Sequence, residues 1–346
     1  TNIGHTTTGN VTLSGTVYNT GTVNYQAASN KDIKLTGTSP TFSLDTAVGD
    51  AIQFETAEVV LSNGTTSVIT HGENITIAGA VTGTDQNEVL SLTTLDASQT
   101  TGEITLSSTV GASNKIGSVA LAGKTVKLGG AITTRASGGV DVTGDTTLTA
   151  DVTITTTTGN GVVKFNDKID GGVNFDIDSG GSGNVTISDA IGSGTPLTTL
   201  DINVGAGTGT ISVADIGATA GNGTKTYGVT GATNIGHTTT GNLTLSGTVY
   251  NTGTVSYQAK ADKDILITGT APIFSGDTTA GDTIKFETAS DIVLSDGASL
   301  TVSTVNNDIS FDGTIDSADT GTSADESVTI TAITNGTGNV TLAGIG

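Results

Sequence analysis

Residues 1–38 read TNIGHTTTGNVTLSGTVYNTGTVNYQAASNKDIKLTGT, and residues 233–270 read TNIGHTTTGNLTLSGTVYNTGTVSYQAKADKDILITGT. These two segments are identical at 31 of 38 positions, so that Thr1 corresponds to Thr233. The similarity continues beyond residue 270, because Phe54 aligns with Phe286 at the same offset. The chain therefore contains a long internal repeat.

The repeat divides the chain into a first long unit, residues 1–232, and a partial second copy, residues 233–346. Internal repeats indicate an architecture in which each copy extends the previous one. We predict one continuous solenoid across both copies, and we expect the chain to be a piece of a longer repetitive protein.

A shorter motif recurs inside the long repeat. It consists of a turn residue, two apolar residues separated by one other residue, a small residue and a further apolar residue. Its copies include GNVTLSGTV (9–17), KDIKLTGT (31–38), ENITIAGAV (73–81), GEITLSSTV (102–110) and GNVTISDAI (183–191). Because successive side chains of a strand point to opposite faces, alternation places Val11, Leu13 and Val17 on one apolar face.

A strand this short cannot bury its apolar face alone. Stacked coils of about 22 residues solve the problem, since each inward residue packs on its counterpart in the next coil. At an inter-strand distance of about 4.8 Å, the first long unit would hold about ten or eleven coils and span about 50 Å. We therefore predict an all-β fold, a parallel β-helix (β-solenoid) built from long internal repeats.

Composition supports an all-β chain. The 346 residues include 50 Gly and only 3 Pro, and aromatic residues make up 3%. Thr and Val are abundant and favour pleated strands, whereas no window has the i, i+3, i+4, i+7 apolar spacing of a helix. A string of β-sandwich modules is the alternative fold. It would use two-residue turns such as Asn63-Gly64 and a buried Trp or Tyr in each module, and the chain contains no Trp.

Two segments carry a resemblance to a known family. They read GGVDVTGDTTLTADVTITTTTGNGVVKFNDKIDGG (138–172) and TPLTTLDINVGAGTGTISVADIG (195–217). Their repetitive sequence pattern resembles that of the passenger domains of giant filamentous-haemagglutinin-like and autotransporter-like bacterial surface proteins. The resemblance implies a right-handed parallel β-helix, export to the cell surface, and thin filaments that act in adhesion or cell–cell contact. It implies as partners like molecules packed laterally or end to end, other cells, and surface glycans.

The charge balance restricts the partners. Twelve Lys and Arg against 33 Asp and Glu give a formal net charge of −21, which would repel the phosphates of nucleic acid and an anionic membrane. No apolar run is long enough to span a bilayer, so we expect no membrane insertion. The absence of Cys excludes disulfides and thiolate metal sites.

Acidic residues suggest one metal site. Asp308, Asp312, Asp316 and Asp319 lie close together in sequence, and carboxylate oxygens are ligands that calcium prefers. We therefore predict a weak calcium site at these residues. The alternative is a solvated acidic edge that keeps a Thr-rich solenoid soluble and its strand edges unpaired.

Catalytic candidates are few. Asp176 and Asp178 flank Ile177, and such a carboxylate pair is the arrangement that glycoside hydrolysis uses. No Trp, Tyr or Arg lies beside this pair, and His5, His71 and His237 stand in Thr-rich turns. We therefore expect no enzymatic activity, no catalytic residue and no cofactor apart from the possible calcium.

Tyrosines repeat between the two copies. Tyr18 corresponds to Tyr250, and Tyr25 corresponds to Tyr257. These four are candidates for a repeated surface-contact strip, with a role as core fillers as the alternative.

These observations predict an extracellular, cell-surface filament with a structural or adhesive function. The alternative functions are a glycan-binding or glycan-cleaving β-helix and a calcium-stabilised surface-layer component.

Overall fold

The computed structural model describes residues 1–44, 49–94, 101–157, 160–204, 209–219, 222–276, 282–318, 326–332 and 338–346, without the side chains of 136 and 137. The chain divides into two compact units, Thr1–Asp167 (unit 1) and Lys168–Gly346 (unit 2). The repeat boundary at residue 232 lies inside unit 2, so that unit contains the end of the first copy and the whole second copy. Each unit is described by itself below.

The strands of unit 1 have the following bounds: β1 (Asn2–Gly4), β2 (Val11–Leu13), β3 (Val17–Thr20), β4 (Val23–Gln26), β5 (Asp32–Leu35), β6 (Thr41–Leu44), β7 (Ala51–Phe54), β8 (Glu58–Leu61), β9 (Thr65–Ile69), β10 (Asn74–Ile77), β11 (Val81–Gly83), β12 (Val89–Thr93), β13 (Glu103–Leu106), β14 (Ile116–Leu128), β15 (Ile132–Leu148), β16 (Val152–Thr156) and β17 (Val163–Phe165).

The strands of unit 2 have the following bounds: β18 (Ile169–Asp170), β19 (Asn174–Ser179), β20 (Val185–Ile187), β21 (Thr199–Val204), β22 (Ile211–Val213), β23 (Ala218–Thr219), β24 (Lys225–Thr226), β25 (Thr233–Ile235), β26 (Leu243–Leu245), β27 (Val249–Thr252), β28 (Val255–Gln258), β29 (Ile265–Ile267), β30 (Ile273–Gly276), β31 (Ile284–Glu287), β32 (Asp291–Leu294), β33 (Ser299–Ser303), β34 (Ile309–Ser317), β35 (Ser327–Thr331) and β36 (Val340–Ile345).

Unit 1 is built from three parallel ladders of strands. The first runs through β1, β4, β7, β10, β13, β14 and β15. The second runs through β2, β5, β8 and β11 and continues by single bridges to β15 and then β16. The third runs through β3, β6, β9, β12, β14, β15 and β17. Each coil supplies strands to the three ladders in turn, so this unit is a parallel β-solenoid.

Unit 2 repeats this plan. Its first ladder runs through β19, β21, β25, β28, β31, β34 and β36. Its second runs through β20, β22, β26, β29, β32 and β34. Its third joins Ile191, Ile216 and Tyr250 by single bridges and continues through β27, β30, β33 and β35. One pair in this unit is antiparallel, the small hairpin of β23 and β24.

The predicted fold class is confirmed: the described chain is an all-β solenoid of stacked parallel strands. Parallel pairing within both units excludes the β-sandwich alternative, whose sheets are antiparallel.

Alternation within each strand builds the core. In unit 1, Ile33 pairs with Val59 and Val59 with Val81, and all three side chains are almost fully buried. Lys34, which lies between two buried residues of β5, points outward. Columns of Val, Ile and Leu thus fill the interior, as the alternating motif predicts.

One residue of the motif departs from this prediction. Val17 is 63% exposed, although alternation from Val11 and Leu13 places it on the apolar face. The chain turns between β2 and β3, and Tyr18 rather than Val17 points inward and stacks on Phe42. The alternation of inward and outward side chains holds along a strand, but it does not continue in the same order across the corner between two strands.

Several coils are longer than the coil of about 22 residues from which the number of coils is predicted. Paired residues are 22 apart for Val11 and Ile33, but 29 apart for Ile75 and Ile104. In unit 2 a still longer coil joins Leu200 to its partner Thr233, across the stretch that contains the β23–β24 hairpin. Fewer coils therefore fit into the first long repeat than the ten or eleven expected.

The turn residue of the motif links neighbouring coils. The side-chain oxygen of Asn10 accepts a hydrogen bond from the backbone N–H of Asp32 at 3.1 Å, and Asn242 does the same for Asp264 at 3.2 Å. Asn74, Asn184 and Asp308 make the equivalent bonds in other coils. These side chains extend each backbone ladder one position beyond its strand, which satisfies an N–H that the ladder leaves free.

The small residue of the motif lies directly against the next coil. A Cβ on Gly37 would lie 2.0 Å from the carbonyl oxygen of Gly15, and a Cβ on Gly269 would lie 2.0 Å from that of Gly247. Only glycine permits so close an approach of two backbones.

We expect Gly37→Ala and Gly269→Ala each to lower the free energy of unfolding by about 2 kcal/mol, because the facing carbonyl must move to admit the methyl group. Urea denaturation followed by circular dichroism measures the change. Gly9→Ala is the matched control, since nothing lies within 4 Å of its added Cβ. Equal losses in all three variants would contradict the close approach.

Candidate functional site

Three of the four tyrosines proposed for a surface strip are buried. Tyr25, Tyr250 and Tyr257 have at most 1% of their surface exposed, so their assignment as surface contacts is wrong. Tyr25 stacks on Phe54 at 4.9 Å between ring centroids, and Tyr257 stacks on Phe286 at 5.1 Å. The rings fill the interior because the strands present them on the inward face, as the core-filler alternative predicts. Only Tyr18 is partly exposed.

The buried hydroxyls differ in their partners. The Tyr250 hydroxyl accepts a hydrogen bond from the backbone N–H of Gly247 at 2.8 Å and donates to the carbonyl of Val213 at 3.3 Å. The hydroxyls of Tyr25 and Tyr257 have no hydrogen-bond partner among the described residues. Burial raises the pKa of Tyr25 to about 12 and also raises the pKa of Tyr257. These phenols therefore stay neutral and serve packing rather than chemistry.

The acidic residues proposed for calcium have separate partners in the described chain. Asp308, just before β34, caps the next coil through Asn339, Asp312 is exposed on β34, and the Asp316 carboxylate accepts the backbone N–H of Ser317. Asp319 lies outside the described residues. Within the described part of the chain no group of three or more His, Asp or Glu is arranged to hold a metal ion, and calcium stays a prediction.

The carboxylates of β19 acquire neighbours from distant sequence. Asp176 pairs in register with Asp201 on β21, and the Asp201 carboxylate lies 2.9 Å from Nε2 of His237. Sequence reasoning missed this contact, because His237 is 36 residues from Asp201 and looked like an ordinary turn residue. The long coil that brings the two together has no signal in the sequence.

An outer groove runs beside this pair on the solvent face of the first ladder of unit 2. It consists of two adjoining depressions of ≈ 340 and ≈ 540 Å³ that share Gln258 and Glu287. The first depression is also lined by Asn234, His237, Ser256 and Lys285, and the second by Lys260, Ala261 and Asp312. The groove therefore presents amides, hydroxyls, carboxylates and ammonium groups to solvent.

One side chain in the lining of the groove is smaller in the second copy. In the first copy, Asn24 occupies the position of Ser256, and its amide donates to Glu55 at 3.0 Å across the equivalent surface. Ser256 is shorter, and the side-chain amide of Gln258 donates to the Glu287 carboxylate at 3.2 Å instead. The side-chain bond to the corresponding glutamate therefore comes from a different residue in each copy.

Some of the differences between the copies lie in the lining of this groove. Seven positions differ between residues 1–38 and 233–270, and two of these exchange one inward aliphatic residue for another. Of the other five, Ser256, Lys260 and Ala261 line the groove. The same stretch of the surface therefore carries different side chains in the two copies.

The groove can bind a polar ligand by hydrogen bonds. Its side chains offer both donors and acceptors within a few ångströms of each other, and pockets use a few such groups to fix the orientation of a ligand. No pattern in the sequence indicated it, because its walls come from four coils separated by loops of different length.

One buried carboxylate was also not anticipated. Glu88 is fully buried, and one of its oxygens accepts hydrogen bonds from the backbone N–H of Asp85 at 2.8 Å and from the Thr84 hydroxyl at 2.7 Å. Burial raises the pKa of Glu88, but these donors outweigh it, and the net effect lowers the pKa. Glu88 therefore holds the corner between β11 and β12 as a charged anchor.

Comparison with protein-family models, with curated proteins and with solved structures finds no match. In the part of the chain that the structure describes, no helix is long and apolar enough to cross a membrane.

The two buried tyrosine environments predict opposite effects of removing a hydroxyl. We expect Tyr257→Phe to raise the free energy of unfolding by about 1 kcal/mol, since it removes a buried hydroxyl that has no partner. Tyr250→Phe should lower it by about 1–2 kcal/mol, because the buried N–H of Gly247 loses its acceptor. Urea midpoints of the two variants measure the contrast, and a shift of the same sign in both would refute this assignment.

Proposed function

We propose that the chain is a structural or adhesive repeat protein that forms an extracellular filament on a cell surface. One observation carries the proposal: the repeated segment builds the same local structure in both units. Tyr25 stacks on Phe54 as Tyr257 stacks on Phe286. A module that folds identically in two contexts is suited to extension by repetition.

The polar contacts of the two copies also match. The Thr22 hydroxyl donates to Asp50 at 2.5 Å, and the Thr254 hydroxyl donates to Asp282 at 2.8 Å. This contact between neighbouring coils is therefore made by the same two side chains in both copies. This supports a role in which length and regularity matter more than a single site.

The proposed mechanism is mechanical. Backbone hydrogen bonds join successive coils, columns of Val, Ile and Leu exclude water from the interior, and stability is the sum of many nearest-neighbour contacts. A net charge of −21 keeps such a chain soluble and disfavours unspecific pairing of its edges. The resemblance of residues 138–172 and 195–217 to bacterial surface passengers supports the extracellular location. The proposal assigns the chain no reaction; its partners are like molecules, other cells or surface glycans.

Electron microscopy of cell-surface material, labelled with an antibody against residues 1–38, tests the filament. The long repeat forms fewer coils than a constant coil length of about 22 residues would give. We therefore expect label along thin fibres at steps of about 40–50 Å. Material from cells that lack the gene is the control. Label on compact isolated particles, or label that never recurs along a fibre, would reject the filament.

The outer groove favours glycan binding as a second candidate function. It combines amide, hydroxyl, carboxylate and ammonium groups in a solvent-facing depression, and part of its lining differs between the two copies. Sugar hydroxyls both donate and accept hydrogen bonds, so a mixed set of polar side chains matches them.

A glycan array probed with the full chain tests this function. Ser256→Asn introduces the residue of the first copy, which should bond to Glu287 and close the groove, and we expect it to weaken binding at least about tenfold, or about 1.4 kcal/mol. Leu266→Lys also introduces a first-copy residue, but outside the groove, and should bind normally. If no glycan is retained, or if both variants bind as the unchanged chain does, the groove has no such role.

A further inference from the structure

The same four residues are covered in one copy of the repeat and open in the other. In the second copy Tyr250, Asn251 and Ser275 have at most 1% of their surface exposed. In the first copy Tyr18 and Ser43 are only partly buried and Asn19 is exposed, although these residues are identical in the two copies. Val17 beside them is 63% exposed, whereas Val249 is half-buried. A neighbouring segment therefore makes the difference.

That segment is the coil that precedes β27 in unit 2. Ile216 pairs with Tyr250 by a parallel bridge, and the Asp215 carboxylate accepts the backbone N–H groups of Thr248 at 2.6 Å and Val249 at 2.8 Å. In unit 1, β3 pairs with β6 and with no second strand of the described chain.

The β23–β24 hairpin completes the cover. The side-chain amide of Asn251 donates to the carbonyl of Ala218 at 2.7 Å, and the ammonium of Lys225 donates to the Ser275 hydroxyl at 2.6 Å. The side-chain carbonyl oxygen of Asn19 instead accepts a hydrogen bond from the Ser43 hydroxyl at 2.5 Å. The hairpin thus clamps the polar side chains of two successive coils.

We propose that Val17, Tyr18, Asn19 and Ser43 form an acceptor surface that binds a second copy of the coil of residues 197–232, with its hairpin clamped over Asn19 and Ser43. Copies of the repeat then join in line through this coil. The occupant is specified by unit 2, where the identical residues already hold it. The proposal rests on the proposed filament and adds the contact that connects its repeats.

The chain offers a direct test because it contains no Cys, so one introduced thiol is unique. A second copy of residues 168–232 is joined ahead of Thr1, which recreates the natural junction between Ala232 and Thr233. We expect the added copy to slow maleimide labelling of the Asn19→Cys variant at least about tenfold, since the thiol then reacts only through local opening. Gln53→Cys, an exposed position on another ladder, should label at the same rate with and without the added copy.

A version of the added copy that lacks the hairpin separates the protection due to the hairpin from the protection due to the rest of the coil. Gly217 and Gly228 lie side by side at the base of the hairpin, where a Cβ on Gly217 would be 2.8 Å from the nitrogen of Gly228. Joining these two residues directly in the added copy should restore most of the labelling of Asn19→Cys.

Unchanged labelling of Asn19→Cys beside a folded added copy would overturn the proposal. An added copy that stays unfolded by circular dichroism also counts against it, because the acceptor surface is expected to complete the coil. The result is independent of the microscopy. Protection of Asn19→Cys without fibres would support the proposed junction and reject the filament. Fibres without protection would support the filament and reject the junction.

Discussion

The parallel hydrogen-bonded pairing of short strands between successive coils is the constraint on which the rest of the structure depends. A strand of about three to five residues has one apolar face and cannot bury it within its own coil. Stacking the next coil in register places Ile33 on Val59 and Val59 on Val81, so these inward apolar residues are covered by their counterparts. The close contact of Gly37 with Gly15 and the caps such as Asn10 follow from this stacking, because both adjust one coil to the spacing of the next.

The sequence was sufficient to predict the all-β class and the parallel stacking, since both follow from alternation and from the absence of helical periodicity. It was not sufficient to predict which side chains point inward at the corners between strands. Alternation placed Val17 on the wrong side, because a turn changes the phase that a strand preserves. The same limit applied to the tyrosines: their repetition was evident, but burial of Tyr25 and Tyr257 depends on which residue follows the corner.

The candidate site was less predictable than the fold. Its groups come from coils of unequal length, so neither the pairing of Asp201 with His237 nor the depression at Ser256 corresponds to a spacing in the sequence. The acidic residues show the converse, because Asp308, Asp312 and Asp316 are close in sequence yet form no metal-binding group in the described chain. In this architecture proximity along the chain is a poor guide to proximity in space, except within one strand.

The freedom of coil length has an evolutionary consequence. The ladder of β21 and β25 keeps its register although a long coil separates Leu200 from Thr233 and an antiparallel hairpin protrudes between them. An insertion at a corner therefore alters the surface of one coil and leaves the interior columns above and below it intact. Duplication followed by changes at the corners allows such a chain to acquire new surface features one coil at a time, at little risk to folding.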